Sequence, residues 1–172
     1  AWAASGERAR TTMAARTAPL RFEVRSSSIQ GKGAFALTTI RKGTRIVEYT
    51  GARIDEDEAD RRYARRRQTY LFALDDGQVI DALEGGNEAR FINHSCAPNC
   101  QTFEEDGRIF VEAFRTIRAG EELLYDYAFV RGEDVDAREE AKHACRCGAE
   151  QCRGTMYAPP KKKRAARKTT AR

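Results

Sequence analysis

Three thiols fall within eight residues, Cys145, Cys147 and Cys152, on a stretch that carries Gly148 and can fold back on itself. Such a cluster suits a structural zinc ion, which takes four tetrahedral ligands at about 2.3 Å from sulfur. Three is one short, and Cys96, Cys100, His94 and His143 are the candidates for the fourth. A shared site would pin the C-terminal loop against residues 93–100, about fifty residues back along the chain. That middle stretch, 86–100, is polar, bears a histidine and is interrupted by Pro98, so it reads as a site loop rather than a strand. Further on, Tyr125 and Tyr127 stand two apart, which on an extended backbone puts both phenols on one face. Tyr49 and Tyr70 add two more.

The elements that would hold these groups are mostly short strands. Residues 20–24 alternate apolar and polar, and a turn through three serines and Gly31-Lys32-Gly33 leads to a second strand at 34–37. Another strand reads at 44–49, closed by Gly51. A helix follows at 55–67, acids first and arginines last, with Glu58 and Arg62 spaced to pair. Residues 70–74 and 79–80 form a hairpin about Asp75-Asp76-Gly77. Strand resumes at 108–114 after Glu105-Asp106-Gly107, and 133–142 is the other helical stretch. The fold class is therefore mostly β with short helices, and 172 residues suit one core.

Charge divides the chain. Seven bases and no acid follow Tyr157; without them, 24 of the 31 Lys and Arg remain against 26 Asp and Glu, a net of −2. A mildly acidic body would attract a cationic protein, and the tail at 161–172 offers contact to nucleic acid phosphates. No run of residues has the length and apolarity of a membrane span, so no membrane partner is expected. The first thirty residues lack the apolar run of a signal peptide, which favours an intracellular protein and a metal or reactive thiol over disulfides. Met13 reads as the biological start, with the residues before it an extension.

Four blocks, in order, resemble the SET-domain lysine methyltransferases: Gly31-Lys32-Gly33-Ala34-Phe35, Tyr49-Thr50-Gly51, the run from Arg90 to Cys100, and Glu122 to Tyr127. The cysteine loop follows where that family carries its post-SET element, while all five cysteines lie after residue 95, so the cysteine-rich pre-SET region of some relatives has no match. The resemblance implies several small curved β-sheets with a knot-like C-terminal crossing, in which the chain around Tyr127 threads beneath the loop of Asn93. It divides the chain into a disordered extension at 1–20, a SET domain at 21–130, a post-SET zinc-binding segment at 131–157 and a disordered basic tail at 158–172.

It also implies an activity: transfer of a methyl group from S-adenosyl-L-methionine to a lysine amine of a basic protein, a histone or nucleoid protein. Tyr127 and Tyr70 would orient the amine, and Tyr125, where relatives carry Phe or Tyr, would limit the number of methyl groups. Gln30, Gly31, Lys32 and Gly33 would wrap the methionine end of the cofactor. Arg90, Phe91, Asn93 and His94 would meet its polar groups and adenine. Cys96 would join Cys145, Cys147 and Cys152 on Zn2+, leaving Cys100 as a spare buried thiol. The alternatives are a methyltransferase for a non-histone protein and a silent chromatin-binding module. The Ala- and Arg-rich text places the protein in a bacterial cytoplasm or nucleoid, with a host or eukaryotic nucleus as the alternative. Lys168, between Arg167 and Thr169, sits in a context like those of histone H3 tails; a generic basic tail is the favoured reading, with automethylation at Lys168 as the alternative.

Overall fold

The computed structural model describes residues 19–66, 69–132 and 135–159. The expected N-terminal extension and basic tail, with Lys168, lie outside the described residues except for 19–20 and 158–159. The elements run β1 (Phe22–Ser26), β2 (Lys32–Ala36), β3 (Arg45–Tyr49), β4 (Ala52–Asp55), α1 (Glu56–Tyr63), β5 (Leu71–Ala73), β6 (Gln78–Asp81), a 3₁₀ turn (Glu88–Phe91), β7 (Asn93–His94), β8 (Cys100–Glu105), β9 (Arg108–Ala113), β10 (Leu124–Tyr125) and α2 (Ala137–Lys142).

Four small sheets result, as the fold class requires: β1-β2, β4-β6-β5, β3-β9-β8 and the parallel pair β10-β7. The first is the expected hairpin, with Phe22 opposite Ala36 and Ser26 opposite Lys32. Besides the two-residue β7 and β10, two longer strands go beyond the sequence reading. β4 pairs with β6 along its length, turning the 70–80 hairpin into a three-stranded sheet. β8 pairs with β9 through the turn at Asp106 and Gly107, both at positive φ. The register of β3 on β9 shifts between Arg45 and Val47, an irregularity of the kind that bends a sheet.

The helix α1 begins on its expected signal: Asp55 caps it by accepting the Glu58 amide, and Glu58 pairs with Arg61 and Arg62. It stops at Tyr63 rather than 67, because the Tyr63 hydroxyl turns inward and donates to buried Asp81 at 2.6 Å, while 64–66 are exposed. The second expected helix is α2, capped by Asp136; residues 133–134 lie outside the described residues. Phe22, Ile40, Ile92, Ile109, Ile117 and Leu123 fill the core between the sheets.

What positions the site is the crossing. Leu124 lies opposite Asn93 and Tyr125 opposite His94 in parallel register. The far side of the same loop holds the same segment, since the Ser95 amide donates to the Tyr125 carbonyl and the Asn99 amide to that of Leu124, both at 3.1 Å. The Asn99 side chain clamps it again, donating to the Glu122 carbonyl at 2.7 Å and accepting the Leu124 amide at 2.8 Å. Residues 122–127 thus pass beneath the loop 93–99, as the knot-like crossing demands.

Candidate active site and metal centre

A cavity of about 730 Å³ opens beside this crossing, within the range of roughly 300–1,000 Å³ typical of small-molecule sites. Gln30, Gly31, Lys32, Tyr70, Arg90, Phe91, Asn93, His94, Tyr127 and Cys145 all line it, so residues spread over more than a hundred positions converge. Two of the residues expected at the cofactor or the amine do not. Gly33 packs under the Glu122 carboxylate and beside Ser27, where an added Cβ would collide with both unless they shifted. Tyr125 is buried behind Tyr127, ring centroids 4.8 Å apart, and its hydroxyl has no protein hydrogen-bond partner among the described residues.

The first wall is held by a polar network. Asn93 donates its side-chain amide to the Lys32 carbonyl at 2.9 Å and to Glu122 Oε1 at 2.8 Å, and Ser27 donates to Oε2 of the same carboxylate at 3.0 Å. Glu122 therefore ties the turn before β2 to β7. Gly31 lies in this turn at φ +41°, a left-handed conformation that side chains rarely adopt. Arg90 donates to the Ala82 carbonyl, and both Arg90 and Lys32 lie over the Phe91 ring.

His94 is almost fully buried, and burial pushes its pKa below the usual imidazole range, against the pull of Asp126. Its Nδ1 accepts the Tyr127 amide at 3.1 Å, so the proton of the neutral ring resides on Nε2, 3.5 Å from the Cys96 sulfur. Tyr127 donates its hydroxyl to the Ile92 carbonyl at 3.0 Å. Burial raises the phenol pKa of Tyr127 and of Tyr125, so both stay protonated near neutrality.

The second wall is the thiol loop. Cys96, Cys145, Cys147 and Cys152 bring their sulfurs within 4.8 Å of one another. Cys96 lies 3.7 Å from Cys145 and 3.9 Å from Cys152, far beyond a disulfide length and close to the edge of about 3.8 Å that a tetrahedron with 2.3 Å metal–sulfur bonds requires. The four thiols fit zinc. Burial acts to raise Cys147, but amides from Cys96 and Ala149 outweigh it and bring the thiol down to about 6, toward the form a metal binds. Of the other candidates for the fourth place, Cys100 is buried in the core with its pKa pushed up to about 12 by burial, and His143 packs edge-to-face between Phe129 and Tyr157.

The cavity's chemistry suits S-adenosylmethionine as well. Lys32, Arg90, Lys142 and Arg146 line it and, among the described residues, no carboxylate does, which favours a ligand bearing an anionic group, while Phe91, Phe129 and His143 offer flat faces to an aromatic one. Phe129, Lys142, His143 and Arg146, with Met156, come from the segment after β10, which the sequence reading did not assign to this cavity; its aromatic and basic residues were the available signal.

The profile of one protein family, described as the SET domain, matches residues 31–128. This chain belongs to the SET-domain family. Its matched region contains the glycine turn, the crossing and Tyr127, and the thiol loop follows it. Histone-lysine N-methyltransferase 2D of Homo sapiens is 41% identical over 138 residues, covering 76% of this chain and 2% of that protein. Histone-lysine N-methyltransferase trr of Drosophila melanogaster is 43% identical over 138 residues, 76% of this chain and 6% of that protein. The H3 lysine-4 specific histone-lysine N-methyltransferase of Saccharomyces cerevisiae is 41% identical over 139 residues, again 76% of this chain and 12% of that protein. This SET chain thus spans a small fraction of the length of these relatives. Among solved structures, ctPRC2 in an autoinhibited conformation bound to S-adenosylmethionine matches with a TM-score of 0.59 and 35% identity, over 64% of this chain and 15% of that one.

Proposed function

We propose that this protein is a protein-lysine N-methyltransferase that uses S-adenosyl-L-methionine and acts on a histone or another basic protein. The observation that carries the reading is the convergence of the glycine turn, Arg90–His94 and Tyr70 with Tyr127 around one cavity beside four thiols arranged for zinc. The donor supplies, when bound, a methyl group on a sulfonium, and no protein nucleophile is needed.

The remaining work falls to this chain's residues. A lysine amine has a pKa of about 10.4 in water and must be neutral to attack. Among the described residues, no side chain lining the cavity is an obvious base, since Tyr127 is held protonated and Nδ1 of His94 is already engaged by an amide. Deprotonation is left to desolvation in the aromatic passage formed by Tyr70, Tyr127 and their neighbours, which disfavours the ammonium form. Tyr127, its own proton given to the Ile92 carbonyl, presents oxygen lone pairs to the amine hydrogens and leaves the nitrogen lone pair free to face the methyl group. Such alignment is worth on the order of 7–11 kcal/mol. Gln30, Gly31, Lys32, Arg90, Phe91, Asn93 and His94 hold the donor, and Gly33 acts through Glu122. Cys96, Cys145, Cys147 and Cys152 hold zinc, which fixes the second wall.

Histones are the favoured acceptor because the relatives are named histone-lysine methyltransferases. Those relatives are eukaryotic; composition alone supports a bacterial nucleoid protein as the acceptor and the tail as a nucleic-acid contact. The test is the zinc-loaded chain with labelled S-adenosylmethionine and, in separate reactions, recombinant histone H3, a bacterial nucleoid protein and a basic non-histone control, read by mass spectrometry. Methyl-lysine on H3, reduced about a hundredfold or more in Tyr127→Phe, is expected. Absence of methyl-lysine on every acceptor sinks the reading.

Tyr125 bears on the number of methyl groups. By the family likeness its hydroxyl would hold a water where a further methyl would need room, so mono- or dimethyl-lysine is the expected product. Tyr125→Phe is expected to shift the products toward trimethyl-lysine in the same spectra, and an unchanged distribution removes Tyr125 from product control.

A further inference from the structure

Between Cys152 and Gly154 stands a residue that neither the cavity nor the thiol cluster accounts for. The Arg153 amide points at the Cys96 sulfur at 3.4 Å, while its guanidinium turns the other way and grips Asp126 with two parallel bonds of 2.8 Å. Three-quarters of each side chain in this pair is covered, and Arg153 Nε is buried without a partner among the described residues. An orphan donor of this kind is an energetic cost that native structures seldom keep without a reason.

Asp126 lies between the two tyrosines. Besides Arg153, its carboxylate accepts the Ala128 amide at 3.0 Å and comes within 3.5 Å of His94 Nδ1. Ala128 is at φ +47°, an unfavourable conformation for a residue with a side chain, and this bend turns the chain from Tyr127 toward Phe129. The carboxylate thus holds a strained backbone step immediately after Tyr127, and the only full charge opposite it among the described residues belongs to the thiol loop.

We infer that Arg153 is a positioning residue that couples the thiol cluster to Tyr127: with the ion bound, the loop holds the guanidinium, the guanidinium holds Asp126, and Asp126 fixes the bend that aims the phenol. The two-oxygen grip suits this task, because a fork on a carboxylate transmits orientation as well as attraction. The inference rests on the methyltransferase reading only for its kinetic readout.

The experiment compares the zinc-loaded parent with Arg153→Gln and Arg153→Lys by zinc content, amide hydrogen exchange over 125–129, and kcat and KM on the methylated acceptor. In Arg153→Gln, zinc is expected to stay bound, exchange at 125–129 to quicken about tenfold or more, and kcat to fall about 10- to 100-fold with KM for the acceptor little changed. Arg153→Lys, which keeps the charge without the fork, is expected to lie between. Chelation should quicken the same amides in the parent and add little in Arg153→Gln, because the coupling is already cut. Unchanged protection in Arg153→Gln with zinc retained overturns the inference, and so does loss of zinc in step with protection, which would make Arg153 part of the metal loop's stability alone. If the parent transfers no methyl group, the methyltransferase reading falls while the exchange comparison still decides the coupling.

Discussion

The two walls of the cavity are built by different means. The wall from Arg90 to His94 is fixed by backbone and side-chain amides: Asn87 anchors its 3₁₀ turn to the Glu48 carbonyl, β7 pairs with β10, and Asn93 and Asn99 satisfy the groups around the crossing. The wall from 141 to 156 has no sheet. Its helix α2 buries none of its six residues, and the segment is tied down by isolated bridges at Ala144–Thr155 and Phe129–Tyr157, a ring cluster of Phe129, His143 and Tyr157, and the Arg153–Asp126 pair. So few apolar contacts do not offset the entropy of ordering some twenty residues, at about 1–2 kcal/mol each for backbone alone. A metal ion can, because its binding energy becomes folding energy for the segment that holds it. One wall is a product of the core, the other of its ligands.

That contrast can be broken most directly by removing zinc. Chelation is expected to lower methyl transfer about a hundredfold or more, while circular dichroism of the β-sheets and most of the cooperative thermal transition survive; intact turnover without metal would mean the second wall stands by itself. Asn99→Ala strikes the first wall instead. It strands the Glu122 carbonyl and the Leu124 amide in a buried setting, and urea unfolding should show a loss of about 2–4 kcal/mol with zinc content unchanged. A loss below about 0.5 kcal/mol would show that the crossing is held by packing rather than by this clamp. The smallest effect sharpens the comparison within a single loop. Cys100→Ala, four residues from Cys96 but on the core side, should cost about 1 kcal/mol and leave full zinc binding. Reduced zinc content in Cys100→Ala would place the boundary between the walls wrongly.

The sequence was most legible where chemistry is local. The serine and glycine turn before β2, the acid-to-base order of α1 and the thiol spacing each carry their reason within a dozen residues, and Tyr125 and Tyr127 share a face as their spacing implies. Elements defined by distant partners were hidden. β4 is four residues, Ala52–Asp55, whose text merges into the α1 cap, and only its pairing with β6 makes it a strand. β8 begins at Cys100, inside a stretch whose polarity reads as loop, and is revealed by β9. In β7 and β10 two residues each suffice, because the crossing rather than strand propensity sets them side by side. Within the site, Glu122 entered the sequence reading only as the first residue of the block running to Tyr127, and nothing nearby in sequence announces that Ser27 and Asn93 both donate to it. Gly33, assigned to the cofactor, also packs against Glu122, about ninety residues away, a neighbour its own stretch of sequence does not announce.

The crossing also dictates an order of assembly. Loop 93–99 closes over a segment synthesised well after it, and Leu123, one of the most deeply buried side chains, arrives on that late segment. While the protein is being made, β7 has no partner and the core lacks its last member, so both face water until residues beyond Tyr127 have emerged. Contacts so distant along the chain form slowly and leave sticky surfaces open in the meantime. A chain interrupted before that point would be an incomplete core rather than a smaller domain.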